Sequence, residues 1–181
     1  MPTFTDGTIP SAANLNSLVT GISNLGVLLA GLAATRQVIP TSHMYLNTTL
    51  SVANATDTVV SLPVVSINED NLWVPSVGHM TIQTAGVYIA WSQVNWDGNT
   101  TGARAGHILL NGTAVANSVA AGTTNPVTTT GVGTCCTMMT PPMSLAVGAQ
   151  LYLSVFQNSG GALNLIPNES GTYLSIIRVG A

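Results

Sequence analysis

Residues 86–96 read Gly-Val-Tyr-Ile-Ala-Trp-Ser-Gln-Val-Asn-Trp and residues 150–157 read Gln-Leu-Tyr-Leu-Ser-Val-Phe-Gln, and these two stretches decide the fold. Side chains of a strand alternate between its two faces. In the first stretch, one face would carry Val87, Ile89, Trp91 and Gln93, and the other Tyr88, Ala90, Ser92, Val94 and Trp96. In the second stretch, one face would carry Leu151, Leu153 and Val155, and the other Tyr152, Ser154 and Phe156. Because both faces carry apolar groups, we expect both to be buried. One face would fill a sandwich core, and the other needs a further sheet or a further subunit.

The rest of the chain from His43 onward repeats this pattern at regular spacing. Runs rich in Val, Ile, Leu, Thr and Tyr alternate with clusters of Gly, Asn and Pro, which is typical of a sandwich or barrel. The predicted strands are Met44–Leu50, Thr58–Leu62, His79–Thr84, Gly86–Trp96, Ala105–Leu110, Thr113–Val119, Thr128–Met139, Gln150–Gln157, Leu163–Ile166 and Thr172–Val179. Asn111-Gly112 predicts a two-residue hairpin. The Thr- and Gly-rich segments 120–125 and 128–134 fit a mobile loop equally well.

The N-terminal region predicts one helix, from about Ser11 to Ala34, behind an irregular lead-in. Ser11 is a suitable N-cap. Apolar residues recur at three- and four-residue steps, at Leu15, Leu18, Val19, Ile22, Leu25, Leu28, Leu29 and Leu32. Glycines at three positions cost about 1 kcal/mol each relative to alanine, so the isolated helix is marginal in water. The stripe suits a short self-associating bundle, or packing against its own domain. With a linker ending at Pro40, we expect an arm at 1–40 and a head domain at 41–181.

The composition excludes several classes of protein. The 181 residues suffice for one domain with a core, yet only 5% are charged, against about 25% in an ordinary domain. An apolar content of 46% argues against disorder. With three arginines and no lysine, the chain lacks the basic face that nucleic acids need. The longest apolar run, Val27–Ala34, is too short to cross a membrane, and no signal peptide is indicated. We therefore expect a soluble protein.

The residues that carry chemistry are few and scattered. His43, His79 and His107 lack the spacing of a zinc site, and no phosphate-binding loop or nucleophile elbow occurs. The neighbouring acids Glu69 and Asp70 could supply oxygens to a hard cation, but a solvated turn explains them as well. We expect no enzyme activity, no metal and no cofactor. The adjacent cysteines at 135 and 136 would point to opposite faces of a strand, one buried and one facing a partner.

Three tryptophans are the aromatic anchors of the sequence: Trp73, Trp91 and Trp96. Trp96 precedes Asp97-Gly98-Asn99 and so lies near the end of a strand. A tryptophan there fits the core, and it also fits a platform on which a sugar ring stacks. Trp96 is therefore a candidate glycan contact.

Four ordered motifs resemble the compact trimeric jelly roll of the complement and tumour-necrosis-factor superfamily. They are Ala-Gly-Val-Tyr-Ile at Ala85–Ile89, Ile-x-x-Asn-Gly at Ile108–Gly112, Leu-x-x-Gly-x-x-Leu-x-Leu-x-Val at Leu145–Val155, and Thr-Tyr-Leu-Ser-Ile-Ile at Thr172–Ile177. The resemblance covers about residues 42–180. It implies a mainly β fold, an antiparallel jelly-roll sandwich with a short N-terminal helix, assembled as a homotrimer.

A second resemblance lies at the N-terminus. Residues 4–16 read Phe-Thr-Asp-Gly-Thr-Ile-Pro-Ser-Ala-Ala-Asn-Leu-Asn, which is similar to the start of many tailed-phage fibre and minor structural proteins. Joined to a jelly roll, it implies a virion surface protein with an N-terminal anchor. No heptad or triple-repeat shaft is found, which favours a compact knob over a long fibre. The expected attachment or oligomerisation residues are Phe4, Leu15, Leu18, Ile22, Leu25 and Leu29.

These observations lead to one expected function and two alternatives. The expected protein is a homotrimeric capsid decoration protein on the virion surface, assembled in the host cytoplasm and bound to the major capsid protein or another virion protein. The first alternative is a minor tail or receptor-binding knob that recognises a host surface glycan. The second is a cellular or spore-surface member of the same superfamily. Neither nucleic acid nor a membrane is an expected partner.

Overall fold

The computed structural model describes residues 11–34, 39–74, 78–127 and 133–181, without the side chains of 28–34 and 73–74. The chain divides into two compact units, Met1–Val38 and Ile39–Ala181. The first contains the helix, and the second contains all the strands. Phe4, the lead-in and the segment 128–132 lie outside the described residues.

The helix α1 spans Ala12–Ala34, so the helix predicted from the apolar stripe is confirmed. Ser11 caps it as expected, because the backbone N–H of Asn14 donates to Ser11 Oγ at 3.3 Å. The apolar residues from Leu15 to Val27 remain between 47% and 74% exposed. No helix in the described part of the chain is both long and apolar enough to span a membrane.

The second unit contains fourteen strands, all paired in antiparallel fashion where pairs are formed. The strands are β1 Thr41–Tyr45, β2 Leu50–Val52, β3 Thr58–Val59, β4 Val64–Asn68, β5 Trp73–Val74, β6 His79–Thr81, β7 Gly86–Trp96, β8 Arg104–Leu110, β9 Ser118–Thr124, β10 Thr134–Met139, β11 Met143–Leu145, β12 Gln150–Gln157, β13 Leu163–Leu165 and β14 Tyr173–Gly180.

These strands form two sheets, which we call sheet I and sheet II. Sheet I has the order β2-β13-β7-β14-β1-β4, and β10 and β11 also pair with β7. Sheet II has the order β5-β6-β12-β8-β9, with β3 paired to β12. The first and last strands, β1 and β14, are neighbours within sheet I. The predicted mainly β sandwich is confirmed.

The core lies between the two sheets and uses one face of each long strand. In β7 the fully buried side chains include Tyr88, Val94 and Trp96, and in β12 they include Leu151 and Leu153. Alternation separated these side chains from those on the opposite face, but it left open which face fills the core. The bounds Gly86–Trp96 and Gln150–Gln157 also agree with the prediction.

The predicted two-residue hairpin at Asn111-Gly112 is wrong. Asn111 adopts a left-handed conformation, with φ of 56°, but the chain then forms a 3-10 turn at Val115–Asn117 before β9 begins. The predicted strand Thr113–Val119 is therefore displaced toward the C-terminus. The segment after Val119 that fitted a loop is instead most of β9.

Small residues are required in β9 because this strand lies against β10. A Cβ built on Gly122 would lie 2.8 Å from the backbone oxygen of Thr137, a distance that no side chain tolerates. On neighbouring β8, a Cβ on Gly106 would lie 2.6 Å from the Cε methyl of Met138. The Ala-, Gly- and Thr-rich composition that resembles a loop therefore permits close packing at this edge.

Arg104 points into the end of the core and holds the loop that precedes it. Its side chain is fully buried, and its guanidinium donates to the backbone oxygens of Asn99 at 2.9 Å and Gly102 at 3.0 Å. Burial lowers the pKa of Arg104 from its ordinary value. The neighbouring Asn158 Oδ1 accepts from the N–H of Ala103 at 2.5 Å. This arrangement fixes the loop 97–103.

Candidate interaction face

The candidate site is the side of sheet I that points away from the core, which we call the outer face. Its central row is set by strand register: Met139 lies opposite Trp91, Trp91 opposite Ser175, Ser175 opposite His43, and His43 opposite Ile67. The outer face comprises His43, Tyr45, Ile67, Ile89, Trp91, Gln93, Cys135, Thr137, Met139, Tyr173, Ser175 and Ile177.

The outer face is apolar and is not covered by the described part of this chain. Met139 is 69% exposed and Ile67 is 45% exposed. None of the twelve outer-face residues is Asp, Glu, Lys or Arg. Two shallow grooves flank Trp91 and Tyr173, one of about 710 Å³ toward His43 and one of about 440 Å³ toward Met139. Trp91 and Tyr173 line both grooves, and we call this pair the aromatic ridge. Aromatic side chains are enriched at protein–protein interfaces.

Most polar groups on the outer face bind within the chain. His43 Nδ1 and Ser175 Oγ are hydrogen-bonded at 2.6 Å, and the His43 ring lies 5.1 Å from that of Tyr173. Gln93 Nε2 donates to the backbone oxygens of Ser170 at 2.5 Å and Gly171 at 3.3 Å. His43 Nε2 is buried and has no partner among the described residues. Satisfied polar groups let a surface be buried at low cost.

The outer face has no constellation typical of catalysis. Its titratable and nucleophilic groups are one histidine, two tyrosines, one cysteine and hydroxyls, and the histidine contacts a serine without a carboxylate as third member. Among the residues that the structure describes, no group of three His, Cys, Asp or Glu is placed to hold a metal ion.

The predicted site residues lie in three different places. Leu15, Leu18, Ile22 and Leu25 lie exposed on α1, whereas the Leu29 side chain and Phe4 are outside the described structure. Trp96 is fully buried in the core. Its candidate role as a glycan contact is therefore wrong for this fold, because a ring enclosed on both sides leaves no face for a sugar.

Sequence reasoning missed most of the outer face. Only Ile89, Trp91 and Gln93 were placed on a common face, from the alternation of β7. Tyr173, Ser175 and Ile177 follow the same period of two in β14, and Cys135, Thr137 and Met139 follow it in β10. That signal was present, but which strands neighbour one another depends on topology, which periodicity does not encode.

The two cysteines occupy opposite faces of β10, as predicted. Cys136 is buried, and Cys135 is exposed on the outer face. Burial, with a smaller contribution from Cys135, raises the pKa of the Cys136 thiol from 9.0 to about 11. Burial also raises the pKa of Cys135.

The raised pKa of Cys136 predicts a loss of stability in alkali. The unfolded chain releases this proton near pH 9, whereas the folded chain holds it until about pH 11. The free energy of unfolding should therefore fall as the pH rises through that window, by about 2–3 kcal/mol. Thermal unfolding on both sides of the window checks this, with Cys136→Ala as the control. A slope that is unchanged in Cys136→Ala would contradict the assignment.

Comparisons with known proteins place the fold. No family model matches the sequence, and no curated protein matches it. Solved structures do: Eiger TNF from S. frugiperda, with TM-score 0.59, 11% identity, and coverage of 80% of this chain and 94% of that one; and murine APRIL, with TM-score 0.60, 13% identity, and coverage of 78% and 99%. The globular domain of zebrafish complement 1qA protein matches with TM-score 0.57, 12% identity, and coverage of 78% and 97%. The chain therefore has a jelly-roll fold similar to that of tumour-necrosis-factor and complement globular domains.

Proposed function

We propose that this chain forms a homotrimer whose jelly-roll heads meet through the outer face, and that it is a structural protein on the surface of a tailed-phage particle. The observation that carries the proposal is the outer face itself. It covers most of one side of sheet I, its strand residues carry no formal charge, and the rest of the described head leaves it uncovered; Glu169 lines the groove toward His43. A monomer would expose this patch to water, which favours association.

A second copy of the chain is the partner that fits this face. Obligate interfaces between like subunits are more apolar than other surfaces and contain few charges. The outer face meets both conditions, and its aromatic ridge of Trp91 and Tyr173 supplies the residue types that dominate interface energetics. The number three rests on the resemblance to trimeric jelly rolls.

The placement on a phage particle is supported by the N-terminal resemblance. Residues 4–16 are similar to the start of phage structural proteins, so the N-terminal segment would attach the head. A particle component that persists outside the cell benefits from a surface whose contacts depend little on salt. Capsid decoration is the preferred location, because the chain has no long shaft.

The first experiment is the molar mass of the purified full chain by light scattering. We expect three times the chain mass of 18.5 kDa, at every protein concentration that can be measured. A monomer at all concentrations would overturn the homotrimer and leave the outer face without its proposed partner.

The second experiment locates the protein on purified particles of the phage that encodes it. An antibody against the head should label the capsid surface if the chain is a decoration protein. Label confined to the tail tip would instead support the receptor-binding alternative. If purified particles contain none of the chain, the virion proposal fails, whatever the mass in solution.

A further inference from the structure

The helix α1 presents an apolar stripe that the described residues of its own unit, 11–34, do not cover. Leu15 and Leu18 are 47% and 48% exposed, and Ile22 and Leu25 are 63% and 56% exposed. These four side chains follow steps of three, four and three residues, which is the a/d spacing of a coiled coil. No residue between 11 and 34 carries a charge. A shaft was not expected from the sequence, and this spacing covers a segment much shorter than a shaft.

A groove of about 210 Å³ lies on this stripe and has the geometry of a coiled-coil hole. Besides Ser17 at its margin, it is lined by Leu18, Gly21, Ile22 and Leu25. These four residues stand at positions i, i+3, i+4 and i+7, which form a diamond on a helix surface. In a coiled coil, each knob inserts into a hole made by four residues of the facing helix.

Nothing in the described part of the chain requires a glycine at position 21, which lies at one corner of this hole. A Cβ built on Gly21 would meet no atom within 4 Å, and the same holds for Gly26. Each glycine weakens the helix relative to alanine, so the isolated helix gains nothing from them. A second helix lying against the stripe supplies a reason, since the missing side chain deepens the hole.

We propose that α1 is one strand of a parallel three-stranded coiled coil formed by three copies of this chain, with Ile22 of each copy seated in the groove of the next. This inference rests on the proposed homotrimer, which it extends from the heads to the arm. In a parallel coil, the hole formed by Leu18, Gly21, Ile22 and Leu25 receives the a-position side chain of the same layer, which is Ile22 of the neighbouring helix. In an antiparallel coil, the side chain that faces this hole would come from a different layer of the partner helix.

Threefold symmetry and the attachment of each helix to its head both favour a parallel coil made of three copies of this chain. Closed threefold symmetry requires the three helices to run in the same direction. The heads hold the three helices close together, so helix association becomes intramolecular, at an effective concentration of order millimolar. A helix too weak to persist alone is then stabilised by burial of its leucines.

The test is disulfide formation at one position of the stripe, in the full chain with Cys135→Ser as background. In a parallel coil, Leu15 of each copy faces Leu15 of the others, so Leu15→Cys should form cross-linked dimers on mild oxidation. Since three thiols can form only one bond, about two thirds of the chains should be linked. Thr20→Cys, on the opposite side of the helix, is the matched control and should form no link.

A pair of charge variants reports on helix stability independently of cross-linking. Leu18→Asp with Leu25→Asp puts charges into the stripe, and Asn16→Asp with Ser23→Asp puts the same charges, equally spaced, outside it. We expect the first pair to lose more than half of the far-ultraviolet helical signal and the second pair to retain it. Equal effects of the two pairs would overturn the coiled coil.

The outcomes separate this inference from the proposed function. If light scattering gives a trimer but Leu15→Cys stays unlinked, the heads assemble and the coiled coil is wrong. If the full chain is a monomer and no link forms, both fail together. Efficient links in both Leu15→Cys and Thr20→Cys would indicate unspecific collision and would also overturn the proposed seam.

Discussion

Met139→Arg is expected to convert the trimer into monomers without unfolding the head. Met139 lies at one end of the central row of the outer face and is 69% exposed within its own chain. The long arginine side chain is therefore accommodated in the monomer. In the trimer it would bury an unpaired charge in an apolar contact, at a cost of about 3 kcal/mol or more for each copy. Light scattering should then report one third of the trimer mass.

Val147→Arg is the matched control for this experiment. Val147 is also a large apolar residue, 63% exposed, but it lies between β11 and β12 and not on the outer face. The same charge is introduced at the same level of exposure, so solubility and net charge change equally. The trimer should persist in Val147→Arg. Dissociation of both variants, or of neither, would contradict the proposed position of the contact.

Gly102→Ala is expected to destabilise the head strongly. Gly102 has φ of +69°, and a Cβ there would overlap the backbone carbonyl of Asn158. The left-handed conformation costs an alanine about 1–2 kcal/mol, and the overlap forces apart two loops that are joined by hydrogen bonds. Movement of Gly102 also displaces the carbonyl that accepts from buried Arg104. We expect a total loss of roughly 3 kcal/mol or more.

Gly148→Ala isolates the conformational part of this effect. Gly148 has φ of +86°, but a Cβ built on it would meet nothing within 4 Å. This variant should lose only the cost of the left-handed conformation, about 1–2 kcal/mol. Denaturant unfolding of both variants measures the difference. If Gly102→Ala were no less stable than Gly148→Ala, the packing of loop 97–103 against Asn158 would be wrong.

The long strands and the helix were predictable because each has enough residues to reveal its period. Gly86–Trp96 and Gln150–Gln157 were predicted with their observed bounds, since alternation over eight or more residues identifies a strand and separates its two faces. Which face lies in the core was left open, because both faces carry apolar groups. The strands Val64–Asn68 and Met143–Leu145 were missed. Both strands are short, and their positions are set by the neighbouring strands with which they pair.

The candidate face could be predicted only in part, for a different physical reason. Alternation in β7 indicated that its second face needs a partner, and Trp91 does lie on an uncovered face. The contributions of His43, Met139 and Tyr173 depend on which strands lie side by side, and these residues are far apart in the sequence. The candidate role of Trp96 was an error of the opposite kind. Its position near a loop suggested an exposed side chain, but the side chain points into the core and is fully buried.

The burial of Arg104 has a consequence for the charge on the surface of the head. The described head, residues 39–74, 78–127 and 133–181, contains two arginines. One is Arg104, fully buried, and the other is Arg178, whose Nε is also buried. Four carboxylates are exposed, those of Asp57, Glu69, Asp97 and Glu169. The exposed formal charge of the described head is therefore mostly negative, so the head should repel polyanions such as nucleic acids at low salt.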